Sequence, residues 1–117
     1  MAGHEISHGF DDAGSKYDSD GRLHDWWSKT SRDNFNAKAK CFADQYGSIT
    51  DTQTGLKLNG NLTLGENIAD NGGIHEAFSV WKKVRSDKNN QLLLPDMEEY
   101  STDKLFFLSY ANVSSFL

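Results

Sequence analysis

Cysteine is almost missing from this sequence, with Cys41 the single instance among 117 residues. No disulfide can form within the chain, so no disulfide framework underlies its fold. Cys41 is either a free thiol, buried or partly exposed, or half of a bridge whose partner lies outside the chain. Positive charge is scarce as well. Twelve Lys and Arg stand against seventeen Asp and Glu, a net charge of −5. An acidic balance argues against nucleic acid or an anionic membrane as the main partner. No apolar run is long enough to span a bilayer, and the chain does not open on a basic-then-apolar signal peptide. If a parent protein is exported or anchored, that information lies outside this chain. Internal repeats, low-complexity stretches and clear linkers are absent. Alternating β-branched runs are short, the best being 47–52, so the expected fold class is mainly α. What the sequence does contain is apolar material: 37% hydrophobic residues, including seven Phe, four Tyr and three Trp. This suffices for a core and is too much for a disordered tail. The length fits one domain or a piece of a larger one. Only Met1, Ala2 and Gly3 precede the first candidate ligand, His4, so the chain reads as a segment cut from something longer.

The expected elements follow from spacing and caps. A short helix covers 2–10 and ends at Gly9. The Asp-, Gly- and Ser-rich stretch 11–23 reads as a loop with turns. Within it, 18–21 resembles a calcium loop only superficially and is read as a turn, because Lys16 occupies the first-ligand position. Asp25 is expected to cap a short turn holding Trp26 and Trp27, which should fill core space. A longer helix is expected from Ser31, a good cap, to Tyr46, with Phe35, Ala39, Phe42 and Tyr46 as its apolar stripe and Gly47 at its end. A polar connection over 48–61, with a small hairpin around Thr54-Gly55, leads to a helix over 64–84. Its stripe is Ile74, Phe78 and Trp81, extended by Val84 or Arg85. The step Asn71-Gly72-Gly73 costs helix propensity, about 1 kcal/mol per glycine against alanine, which points to close backbone packing there. A loop through Pro95 leads to a last helix over 103–113 carrying Leu105, Phe106, Leu108 and Tyr110.

The chemistry starts at His4-Glu5-Ile6-Ser7-His8, which has the form H-E-x-x-H. Residues four apart lie on one face of a helix, so two imidazoles can share one metal. Zinc accepts imidazole nitrogen and prefers tetrahedral geometry. Glu5, rotated by about 100° from His4, can reach a water on the metal without ligating it. Taken alone, five positions with three fixed residues also occur by chance. A catalytic zinc needs a third protein ligand and an open position. Glu66 and Asp70, again four apart, supply candidates: one carboxylate could bind metal while the other takes the N–H of a ligand histidine. The ordinary reading of two such acids is a solvated helix face, but their neighbours are apolar and glycine-rich. His24 and His75 read as surface or packing residues.

The run 4–12, His-Glu-Ile-Ser-His-Gly-Phe-Asp-Asp, resembles the zinc motif of the neprilysin and endothelin-converting-enzyme family. Asp20-Gly21-Arg22-Leu23, Asp25-Trp26-Trp27, Leu58-Asn59-Gly60, the run 63–73 from Thr63 to Gly73, and Leu105-Phe106-Phe107-Leu108 follow in the family's order. The resemblance covers His4 to Val113. It implies a partial gluzincin (thermolysin-like) catalytic domain, with residues 1–117 a fragment of the C-terminal zinc metallopeptidase domain built on a zinc helix and a third-ligand helix. It implies one Zn²⁺ per chain held by His4, His8 and Glu66. Glu5 would polarise a water on the metal and pass its proton to the leaving amine, and Asp70 would orient His4. The implied activity is cleavage of small peptides on the amino side of hydrophobic residues, in a type II membrane or secreted parent with an extracellular catalytic domain. Cys41 falls where the family has a cysteine paired with one near the C-terminus, which implies a disulfide outside this chain. The family's upstream Asn-Ala segment and its downstream histidine and arginine are not found here, nor is the Trp-Cys that usually follows Ala111-Asn112-Val113. Two functional readings result: a zinc endopeptidase or its catalytic core, and a catalytically inactive, truncated fragment acting as a zinc- or peptide-binding module. A metal-dependent hydrolase of another substrate class fits the segment 66–70 less well. Asn61-Leu62-Thr63 and Asn112-Val113-Ser114 are glycosylation sequons, and triplets of this kind also arise by chance.

Overall fold

A computed structural model describes residues 1–88 and 94–114. The element order is α1 (Ala2–His8), a 3₁₀ turn (Gly14–Lys16), α2 (Lys29–Gly47), α3 (Leu64–Lys88) and α4 (Thr102–Ser114). Among the described residues the only β pairings are two isolated antiparallel bridges, Tyr17 with Leu23 and Thr50 with Lys57, so the chain is mainly helical as expected. The middle of the loop expected before Pro95, and the chain end after Ser114, lie outside the described residues. The chain divides into two compact units, Met1–Gly73 and Ile74–Leu117.

In the first unit, α1 has seven residues, far too few for a helix to persist alone in water. Its support comes from the glycine step of α3. A Cβ on Gly73 would stand 2.5 Å from the backbone nitrogen of His4, and one on Gly72 would stand 2.6 Å from Ser7 Oγ. The propensity lost at Asn71-Gly72-Gly73 is thus spent on bringing the backbone of α1 against α3. Asn71 itself reaches α2, donating from Nδ2 to Tyr46 Oη at 3.1 Å.

Helix α2 begins earlier than expected. Ser28, not Ser31, is its cap: the Ser28 hydroxyl accepts the Ser31 backbone N–H at 3.1 Å. Ser31 sits one turn in and accepts a hydrogen bond from the Ser28 hydroxyl instead. The stripe holds, with Ala39 buried and Phe35, Phe42 and Tyr46 half-buried. Asp25 caps no turn. Its carboxylate lies 3.8 Å from the Arg32 guanidinium. The two tryptophans divide. Trp27 donates from Nε1 to the carbonyl of Ser15 at 2.9 Å and packs on Phe35, whereas Trp26 is exposed. Arg32 locks this corner, bonding the hydroxyl and the carbonyl of the fully buried Ser15 and lying 4.9 Å from the Trp27 ring centroid.

The stretch 18–22 is a turn closed by Asp18, whose carboxylate accepts the N–H groups of Asp20 and Arg22. The second turn, after Thr50, closes on Asp51, with Gly55 in the left-handed region at φ 71°. Gly60 is buried, and a Cβ there would overlap the carbonyl oxygen of Ala43. This contact fixes where the chain enters α3.

In the second unit, the later turns of α3 and the whole of α4 share an aromatic cluster. Phe78 lies 5.2 Å from Phe106 and 4.8 Å from Phe107, and Trp81 lies 5.6 Å from Phe106, centroid to centroid. Arg85 and Asp103 pair at 2.9 Å. Helix α4 starts at Thr102, where the Ser101 hydroxyl accepts the Lys104 N–H at 3.3 Å.

Candidate metal centre

Helix α1 presents His4 and His8 on one face, one turn apart, with the ring centroids 4.6 Å from each other. The first turn of α3 carries Glu66. The structure brings these three together: one ligand atom of each lies within 4.8 Å of the others. Glu66 Oε2 stands 3.4 Å from His4 Nε2 and 3.7 Å from His8 Nε2. The two Nε2 atoms face each other at 3.0 Å. No other group of three such side chains is found among the described residues.

The far side of each ring explains which nitrogen faces the centre. His4 Nδ1 lies 2.9 Å from Asp70 Oδ1, one turn beyond Glu66 on α3. His8 Nδ1 lies 2.8 Å from Asp11 Oδ2. An ionised carboxylate only accepts, so each Nδ1 donates and each neutral ring turns an Nε2 lone pair toward the centre. Two lone pairs and a carboxylate oxygen converging at this range repel one another unless a cation or a proton lies between them. Imidazole nitrogen and carboxylate oxygen together are the donor set of catalytic zinc, so the residues present fit that ion.

The spacing of Glu66 and Asp70 marked one of the two as a ring-orienting acid, and the family resemblance implied that it is Asp70. Asp11 was not legible, although it lies within the motif run 4–12. Its carboxylate is almost fully buried and accepts three hydrogen bonds, from His8 and from the backbone N–H groups of Ala13 and Gly14. Burial by itself would raise the Asp11 carboxyl, but these hydrogen bonds and the His8 charge outweigh it and hold the group below its ordinary value. The same hydrogen bond, set against a smaller opposing effect of burial and helped by the charges of Glu66, Asp11 and Glu5, raises His8 above the usual imidazole value. The signal that could have found Asp11 is its place three residues after His8, where the chain leaves α1 and an Asx-type turn can fold the carboxylate back. Glu5 follows His4 on α1 and is exposed.

Residues 1–115 match the profile of Peptidase family M13. The chain belongs to that family. It is 48% identical over 112 residues to Neprilysin-11 of Caenorhabditis elegans, an alignment covering 96% of this chain and 13% of that one. It is 44% identical over 114 residues to human Neprilysin, covering 97% of this chain and 15% of the relative. Among solved structures it resembles the zinc metalloprotease Zmp1 of Mycobacterium tuberculosis in complex with an inhibitor. That match has a TM-score of 0.76 and 35% identity, and covers 93% of this chain and 17% of that one. The M13 chain therefore spans well under a fifth of the length of these relatives. Its helical fold is that of the matched part of an M13 peptidase, and the cofactor named for the Mycobacterium tuberculosis relative is the one its donor set fits.

Two other sequence features also stand in the M13 chain. Cys41 is exposed on α2 and is the single cysteine of residues 1–117. None of the described helices is long and apolar enough to cross a membrane.

Proposed function

We propose that this M13 chain is the metal-holding part of a zinc-dependent endopeptidase, with one Zn²⁺ bound by His4, His8 and Glu66. The observation that carries the reading is the convergence of His4 Nε2, His8 Nε2 and Glu66 Oε2, with the first two 3.0 Å apart and each ring tied behind by a carboxylate. Zinc bound there supplies Lewis-acid polarisation of a scissile carbonyl and lowers the pKa of water towards about 7. The chain's own residues do the rest. His4 and His8 present Nε2 and keep their protons on Nδ1. Asp70 holds the His4 proton and with it the ring's orientation. Glu66, two thirds exposed, completes the donor set from the first turn of α3. Glu5 is the general base, taking a proton from the attacking water and returning it to the leaving amine.

The proposed substrates are small peptides cut on the amino side of hydrophobic residues. The proposed setting is the cell surface or the extracellular space, as part of a membrane-anchored or secreted protein. Cys41 would there pair with a cysteine outside residues 1–117. Asn61 and Asn112 are the sequons open to glycosylation in that compartment.

The first test is zinc stoichiometry on the metal-stripped and reloaded chain, beside Glu66→Ala. The expected result is one zinc per chain and a loss in the variant greater than the roughly 10- to 100-fold typical of an outer partner. Absence of zinc from the wild-type chain would sink the metal-site reading. Peptide cleavage abolished by Glu5→Gln, with zinc retained, would then establish the general base. Zinc binding with no cleavage would select the alternative, a zinc- or peptide-binding module.

A further inference from the structure

Four features meet at Asp11. Asp11 is only 6% exposed although it lies beside a partly exposed candidate metal centre. Its Oδ2 faces His8 Nδ1 at 2.8 Å, and its Oδ1 accepts the N–H groups of Ala13 and Gly14 at 2.8 Å and 2.6 Å. The turn it closes is tight, because a Cβ on Gly14 would overlap the carbonyl of His8. Finally, Gly65, the residue before Glu66, lies against the same carboxylate. A Cβ on Gly65 would stand 3.1 Å from Asp11 Oδ2 and 3.0 Å from Asp12 Oδ1.

We infer that Asp11 is a positioning residue that sets His8 for metal from behind, and that position 65 is glycine to leave room for the Asp11 carboxylate. The inference rests on the zinc-site reading above and deepens it. One carboxylate oxygen fixes the ring of the second histidine, the other fixes the turn that follows it, and the helix bearing the third ligand closes over both. Asp11 thus touches both the His8 ring and the first turn of α3. The chemistry of the ring is the sharper consequence. With a carboxylate at position 11, the His8 proton stays on Nδ1 and Nε2 is free for metal. In Asp11→Asn, the amide oxygen keeps the turn bonds to Ala13 and Gly14 while the amide NH₂ faces Nδ1. An NH₂ only donates, so Nδ1 must accept and the proton moves to Nε2, on the metal side.

The test has two readouts on the full chain. In the metal-free protein, long-range ¹H–¹⁵N correlation at a pH where His8 is neutral reads its tautomer. The expected result is the Nδ1–H form in the wild type and the Nε2–H form in Asp11→Asn. In the zinc-loaded protein, competition with a chromophoric chelator is expected to show affinity reduced about 10- to 100-fold by Asp11→Asn. Gly65→Ala should cause a smaller loss, although alanine is the better helix former. The tautomer readout needs no metal, so it decides the inference even if the wild-type chain holds no zinc, an outcome that overturns only the metal-site reading. An unchanged His8 tautomer in Asp11→Asn overturns the inference, and so does undiminished zinc affinity in both variants. If Asp11→Asn loses its helical circular dichroism, Gly65→Ala carries the affinity arm, since it leaves the carboxylate and the turn acceptors in place.

Discussion

At the scale of single residues, this chain uses short acidic side chains to close turns. Asp11, Asp18 and Asp51 each accept backbone N–H groups from the residues that follow. Asp51 is the solvent-exposed case with a resolved consequence for pH. Hydrogen bonds from the Thr54 hydroxyl and from the Gln53 and Thr54 backbone hold its carboxyl below 3.8, its ordinary value. A group whose pKa is depressed by folding stabilises the fold above its unfolded value and loses that contribution as pH falls through the folded one. The turn over 51–54 should therefore keep full protection at pH 5 and loosen only below about 3.8. Carboxyl chemical shifts of Asp51 followed through an acid titration check this, and a midpoint at or above the ordinary value would contradict it. The contrast with Asp11 shows what a sequence hides. Both residues sit in polar, turn-rich stretches, and only the fold reveals that one of them is buried behind a histidine.

Among the elements, the two helices that carry the site are each poor helices by local criteria. Helix α1 has seven residues and no side-chain cap, and α3 contains two consecutive glycines. Each defect is resolved by the other element, since the glycines admit the backbone of α1. Gly73→Ala makes this measurable. Helix propensity alone would stabilise the variant by about 1 kcal/mol. The 2.5 Å approach of the new Cβ to the His4 nitrogen reverses the sign, so the variant should unfold at lower denaturant concentration and bind zinc more weakly. A gain in both would show that α1 does not depend on this contact. Helix α2 offers a cleaner local test. Ser28→Ala removes its cap and should cost about 1 kcal/mol, more than Ser31→Ala, by chemical denaturation.

The pattern H-E-x-x-H, the pair Glu66 and Asp70, the α2 stripe and the packing role of Gly72-Gly73 were all legible, because each follows from helical periodicity or from the cost of glycine. The Ser28 cap was missed because Ser28 and Ser31 are both acceptable caps. Only the hydrogen bond between them decides which residue lies outside the helix. Trp26 and Trp27 could not be separated by composition, since what distinguishes them is a carbonyl acceptor on Ser15, twelve residues earlier.

For the molecule as a whole, the apolar residues outnumber the places to bury them. Among the described residues, Ala39 and Ala69 are the only hydrophobic side chains counted as buried, while Leu62, Leu23 and Leu56 are 80%, 74% and 69% exposed. Large exposed apolar surface marks binding or association surfaces. The 117-residue chain should therefore self-associate at micromolar concentration or bind a hydrophobic dye in its folded state. Sedimentation velocity alongside dye fluorescence tests this, and a dye-silent monomer would count against it. Because every candidate ligand lies within Met1–Gly73, zinc should raise amide protection in that unit, and Phe106→Ala should leave zinc affinity unchanged.

Glu66 follows His8 by 66 − 8 = 58 positions, so one ion joining them closes a long covalent loop in a chain whose single cysteine cannot. In the chain-entropy account of cross-linking, a closure of that size is worth about 4 kcal/mol. On the proposed ligand set, zinc is thus a staple as well as a reagent. A chelator should act on this chain as a reductant acts on a disulfide-bonded domain, releasing topology and chemistry in one step.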